Sequence, residues 1–187
     1  MRVLGICGSL RKESWTRKAL EAARNLVPPD AEIELYDDLR SLPPYDEDED
    51  RLPAHPAVRR LRDAIAAADA VLVVTPEYNG SVPGVLKNAL DWASRPFPEN
   101  CLRDKPVAAV AGSPSPFGAV WAQADLRRIL GICRARVVDR EVALAHLPER
   151  FAPDGSLEPD AAEPVRDLLA ELVREAEHDQ IAMQEAA

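Results

Sequence analysis

Three short stretches of this chain carry residue types suited to holding an anion or a flat polar ring. The first is "GSLRKES" (8–14), which follows the apolar run "VLGIC" directly. Gly8 lets backbone approach a ligand closely, and Ser9 and Ser14 supply hydroxyls. Arg11 supplies a planar fork that matches phosphate oxygens, and Thr16 adds one more hydroxyl. If a helix begins here, its first N–H groups lack intrahelical partners and favour an anion. The competing reading is that Ser14 only caps that helix and Arg11 is a surface charge. Neither GxGxxG nor GxxxxGK[ST] occurs, so the inventory points to a mononucleotide phosphate rather than a dinucleotide or P-loop site.

The second stretch is "TPEYNGS" (75–81). Pro76 and Pro83 stiffen it, Gly80 permits positive φ, and Tyr78 offers a stacking face. Asn79 and nearby backbone groups present donors and acceptors to the edge of a heteroaromatic ring, although Asn-Gly alone also reads as a simple turn. The third is "GSPSPFG" (112–118), where Ser113 follows a strand and Phe117 and Trp121 could line an entrance.

The elements that must position these stretches alternate along the chain. Strands are expected at 2–7, 32–36, 70–75, 106–112 and 135–139, with 32–36 nearer the sheet edge. Helical spacing of Ala19, Leu20, Ala23, Leu26 and Val27 predicts a helix that ends at Pro28-Pro29. Further helices are expected around Val58–Ala68, at 85–94, at about 119–130, and at about 161–180 with a frayed tail beyond. Residues 42–56 read as a long loop, with "YDEDEDR" (45–51) solvated. This alternation predicts an α/β fold, one domain over 1–187. About five parallel strands would form an open doubly wound sheet with helices on both faces. Ligands in such sheets sit beyond the strand C-termini where strand order reverses, which selects the loops after residues 7, 75 and 111.

Composition excludes several classes. The 187 residues suffice for a sizeable core, and a formal charge of -9 argues against a nucleic-acid surface. No stretch approaches the ~20 apolar residues of a membrane span, and no signal peptide is recognisable, so a cytoplasmic location is expected. Cys7, Cys101 and Cys133 read as reduced thiols, and the three histidines lack metal-ligand spacing.

"GSLRKESWT", "TPEYNGSVPGVLKNALDWASRP" and the strand–GS–loop–helix after Lys105-Pro106 resemble the NADPH-dependent FMN reductase family, which is flavodoxin-like and includes quinone, azo-dye and chromate reductases. The resemblance covers about residues 2 to 140. It implies that Ser9, Leu10, Arg11, Ser14, Trp15 and Thr16 hold the FMN phosphate end. Pro76, Glu77, Tyr78, Asn79, Gly80 and Ser113 would meet the isoalloxazine ring. Thr16 stands where the family commonly has asparagine, and Ala119, Val120 and Trp121 stand where relatives often carry glycine and a basic residue. The implied activity passes hydride from NADPH (or NADH) to FMN, then two electrons to a small acceptor, with no side chain as acid or base. A flavodoxin-like electron carrier without NADPH oxidation is the alternative. A homodimer or homotetramer is implied as well, with Trp92, Arg95 and Trp121 as surface candidates.

Overall fold

The computed structural model describes the backbone of residues 1–185 and side chains through residue 178. Five strands pair in the order β2-β1-β3-β4-β5, all parallel, and a sixth pairs with β4 beyond β5. They are β1 (Arg2–Cys7), β2 (Glu32–Tyr36), β3 (Ala70–Thr75), β4 (Pro106–Gly112), β5 (Arg136–Val137) and β6 (Val142–Leu144). The helices are α1 (Trp15–Ala23), α2 (Pro56–Ala67), α3 (Gly84–Ala93), α4 (Val120–Ile132) and α5 (Pro159–Glu185).

Alternation along the central strands divides the core. Leu4, Ile6, Val71, Val73, Val107 and Ala109 pack with α2, α3 and α4, whereas Val3, Leu72, Val74, Ala108 and Val110 pack with α1 and α5. Because β3 and β4 are buried at every position, they read as unbroken apolar runs. At the edge, β2 alternates instead, with Glu32 and Glu34 exposed on either side of buried Ile33.

Several boundaries differ from the sequence expectation. Helix α1 ends at Ala23, and Leu26 belongs to a tight turn in which its N–H donates to Ala23 O at 2.9 Å. The expected strand 135–139 is only two residues long, and β6 continues the same edge against Val110–Gly112. Charged Asp139, Arg140 and Glu141 separate the two pieces. Arg127 pairs with Asp139 and Arg140 with Glu171, so this segment turns to helices rather than to β4. Helix α5 runs past 180 to Glu185, since its last turns are built from good helix formers. The expected fraying beyond that point lies outside the described residues.

The acidic loop is exposed at 46–49 and 51, as expected, and is anchored at Tyr45 and Asp50. Asp50 and Arg62 form an ion pair at 2.8 Å with side chains only 15% and 16% exposed. Asn88 of α3 accepts from Tyr45 N–H at 2.7 Å and donates to Pro43 O at 2.9 Å. Trp92 donates to the same carbonyl at 2.9 Å and meets Tyr45 edge-on. Trp92 is 1% exposed, so it belongs to the core and not to a subunit surface. No helix among the described residues is long and apolar enough to cross a membrane.

Candidate functional site

Strand order reverses between β1 and β3, and the C-terminal ends of β1, β3 and β4 stand side by side. The three loops identified from sequence leave from those ends. Gly8 N–H donates to Val74 O at 2.8 Å, and a Cβ on Gly8 would lie 2.9 Å from Thr75 Oγ1. Only glycine lets the first loop cross this closely over the end of β3.

Within the first loop the hydroxyls have different duties. Ser14 caps α1 by accepting from Arg17 N–H at 3.2 Å. Its Oγ lies 2.9 Å from Thr16 Oγ1, which in turn contacts Cys7 Sγ at 3.7 Å. Ser14 and Thr16 are 3% and 2% exposed, so both hydroxyls fix the start of the helix from inside. Ser9 Oγ accepts from Arg11 N–H at 3.3 Å and shapes the turn. Arg11 and Lys12 are exposed and have no ion-pair partner among the described residues. Trp15 faces the C-terminal segment, tilted against Phe151 at 5.6 Å with the Lys18 ammonium 4.5 Å from its ring centre.

The second loop is a small hairpin. Tyr78 and Ser81 exchange backbone hydrogen bonds of 3.0 and 3.3 Å around Asn79 (φ 54°) and Gly80 (φ 74°). Two positive φ values in succession make a turn for which Asn-Gly is the preferred pair, so the simple-turn reading of these two residues holds. The tip, Tyr78 to Gly80, is exposed. Glu77 has a job the sequence did not reveal: its Oε2 accepts from the N–H groups of Trp121 and Ala122, both at 3.1 Å. Helix α4 has no cap of its own, because Ala119 precedes it at φ 67° with no side-chain acceptor. A carboxylate from the neighbouring loop fills that role and meets the positive end of the helix dipole. Ser81 donates to Asp125 of the same helix, and this hydrogen bond, with Arg128, holds the Asp125 carboxyl below its usual range.

The third loop rests on β6. Ser113 N–H donates to Leu144 O at 3.1 Å, Leu147 N–H donates to Ser113 O at 2.9 Å, and the Ser113 and Ser115 hydroxyls lie 2.8 Å apart. Phe117 and Trp121 pack on each other at 5.3 Å and remain 59% and 52% exposed. Across the sheet, on the β2 side of the first loop, lies a pocket of about 400 Å³. Arg11, Lys12, Arg17 and Arg40 contribute to its wall, together with Tyr36 and Asp37. Burial, and then the charge of Asp38, pushes the Tyr36 hydroxyl up to about 12, so it stays protonated.

Residues 1–149 match the NADPH-dependent FMN reductase family. This chain belongs to that family. An NAD(P)H-dependent FMN reductase of Pseudomonas aeruginosa is 45% identical over 163 residues, 87% of each chain. A 2-hydroxy-1,4-benzoquinone reductase of Burkholderia sp. is 38% identical over 152 residues, 81% of this chain and 78% of the relative. Among solved structures, the flavoenzyme NAD(P)H:(acceptor) oxidoreductase FerB from Paracoccus denitrificans superposes with a TM-score of 0.82 at 35% identity, covering 95% of this chain and 97% of that one.

For a member of the NADPH-dependent FMN reductase family, the donor set fits the phosphate of FMN. Arg11, without an ion-pair partner among the described residues, and Ser9 line one pocket on the loop that leads into α1, whose first N–H groups carry partial positive charge. The structure brings Ser9, Leu10 and Arg11 onto one open surface and keeps Pro76 to Gly80 together on the adjoining loop. Sequence reasoning did not single out Arg40, which donates to Leu10 O from the turn after β2, or Arg17, which lines the same pocket while pairing with Glu21 and Asp37. An isolated arginine after an edge strand gives no local signal. Among the described residues no metal-ligating cluster exists. The three cysteines are free, and burial pushes the Cys101 thiol up to about 11.

Proposed function

We propose that this chain is an FMN-dependent NAD(P)H oxidoreductase that delivers two electrons to a small acceptor such as a quinone, an azo compound, chromate or free flavin. The observation that carries this reading is Arg11, exposed and without an ion-pair partner among the described residues, on the loop that leaves β1 where strand order reverses and crosses the end of β3 at Gly8. Bound FMN supplies the redox chemistry, accepting electrons from the nicotinamide and releasing them to the acceptor. The protein's work is to bind, orient and shield.

Ser9, Leu10 and Arg11 hold the phosphate, and Ser14, Thr16 and Trp15 support them by fixing the first turn of α1. Pro76, Glu77, Tyr78, Asn79, Gly80 and Ser113 form the wall for the ring. Glu77 contributes its backbone there, because its carboxylate is committed to α4. That commitment, with Ser81–Asp125, keeps the hairpin in one position against the third loop, which is the preorganisation a flat cofactor requires. The exposed Phe117–Trp121 pair gives the nicotinamide or an aromatic acceptor an apolar surface beside that wall. The relatives named for quinone and FMN reduction support the acceptor class. We also infer a homodimer or homotetramer acting in the cytoplasm, to be checked by light scattering and by fractionation.

The test is steady-state oxidation of NADPH and NADH by FMN-loaded protein against quinones, azo dyes, chromate and oxygen. Acceptor-dependent turnover with at least one nicotinamide is expected. Bound FMN with no turnover against any acceptor would favour an electron carrier instead.

A further inference from the structure

The strand order gives the first loop two different neighbours. On its β3 side lie the hairpin 76–81 and the third loop, and on its β2 side lies the pocket of about 400 Å³. That volume falls within the ~300–1,000 Å³ of small-ligand sites. Ser9, Leu10 and Arg11 of the first loop line this pocket themselves, so a flavin phosphate held by them would border it. In a flavin dinucleotide, the group attached there is adenosine monophosphate.

The pocket's residues suit that group. Arg40 follows β2 and donates Nη2 to Leu10 O at 3.0 Å, and it has no acidic partner among the described residues. Its remaining N–H groups, with Lys12, can meet a second phosphate. Asp37 directly follows β2 and pairs with Arg17, which also binds Glu21 at 2.8 Å. An acid at the end of the strand beside β1 is the position from which dinucleotide folds bond the adenosine ribose hydroxyls. Leu10, 36% exposed, and the Tyr36 ring give the wall apolar surface.

We propose that this pocket takes the adenosine monophosphate half of FAD, so that one flavin site accepts FAD as well as FMN. The inference rests on the flavin reading above. It is tested by titrating flavin-free protein with FMN, FAD and riboflavin and following flavin fluorescence, for wild type, Arg40→Ala and Arg40→Glu, with thermal melts confirming the fold. Wild-type affinity for FAD should lie within about tenfold of that for FMN. Because Arg40 also supports the first loop through Leu10 O, some loss for FMN is expected. Arg40→Glu should weaken FAD by about tenfold or more beyond its loss for FMN, the scale of one charge-assisted hydrogen bond, with Arg40→Ala intermediate and riboflavin least changed. FAD bound a hundredfold or more weaker than FMN, or equal losses for both flavins in the variants, would overturn the proposal. Failure of wild type to bind FMN at all would instead remove the flavin reading on which it stands.

Discussion

The first and second loops leave adjacent strands and lie against each other at Gly8 and Thr75, yet they dispose of their polar groups in opposite ways. The second loop commits its carboxylate, its serine and its turn backbone internally, leaving only the Tyr78 and Asn79 side chains at its exposed tip: Tyr78 and Ser81 bond each other through the backbone, Glu77 caps α4, and Ser81 bonds Asp125. The first loop hides two hydroxyls, Ser14 and Thr16, beneath the helix and leaves Arg11 and Lys12 exposed without ion-pair partners among the described residues. One loop is a finished wall and the other an open clamp. Charge that has no internal partner marks the surface built for a ligand, whereas a polar-looking motif can be occupied with holding its own shape.

The sharpest way to break this contrast is Arg11→Ala. If the first loop is the clamp, FMN affinity should fall by about 1.5–3 kcal/mol, the scale of a hydrogen bond to a charged group. Riboflavin, lacking the phosphate, should lose far less, as titration calorimetry can read. Equal losses would place Arg11 away from the phosphate. Thr16→Asn comes next. From sequence, asparagine there extends reach toward the phosphate, but the buried Thr16 side chain leaves no space for it. A stability loss of about 1–3 kcal/mol is expected in urea unfolding, as for other overpacked sites, and unchanged stability would show that Thr16 can turn outward.

On the wall, Asn79→Leu puts a branched side chain at φ 54°, which costs ~1–2 kcal/mol, whereas Asn79→Gly should be close to neutral. Leucine tolerated as well as glycine would mean that the hairpin does not hold this conformation. The smallest effect is expected for Glu77→Gln. The amide oxygen can still accept from Trp121 and Ala122, so only the charge at the helix terminus is lost, about 0.3–1 kcal/mol and less in high salt. A much larger loss would show that the carboxylate does more than cap α4.

The central strands and their loops were legible because full burial leaves a strong trace. β3 and β4 are apolar throughout, and each is followed at once by an unusual loop. At the right edge a strand over 135–139 was legible but too long, and β6 was missed, since two residues of β5 and three of β6 are too few to show a period. Arg127–Asp139 and Arg140–Glu171 draw the charged segment between them away from the sheet. Trp92 misled for a related reason, as did the two anchored ends of the otherwise exposed acidic loop. Their neighbours, Tyr45, Asn88 and Arg62, are distant in sequence, and only the fold shows that they satisfy one another. In the candidate site, residue types suggested an anion-holding loop and a turn, and the turn is what the structure shows. The capping of α4 by Glu77 joins residues 44 apart and leaves no local pattern.

The central claim, that the first loop is built around the phosphate of a flavin, is tested most directly by comparing FMN and riboflavin on the unmodified, flavin-free protein. Titration calorimetry should give FMN an affinity at least about tenfold higher, a difference of about 1.4 kcal/mol, and the gap should narrow when inorganic phosphate is added as a competitor. Equal affinities for the two flavins would contradict the account.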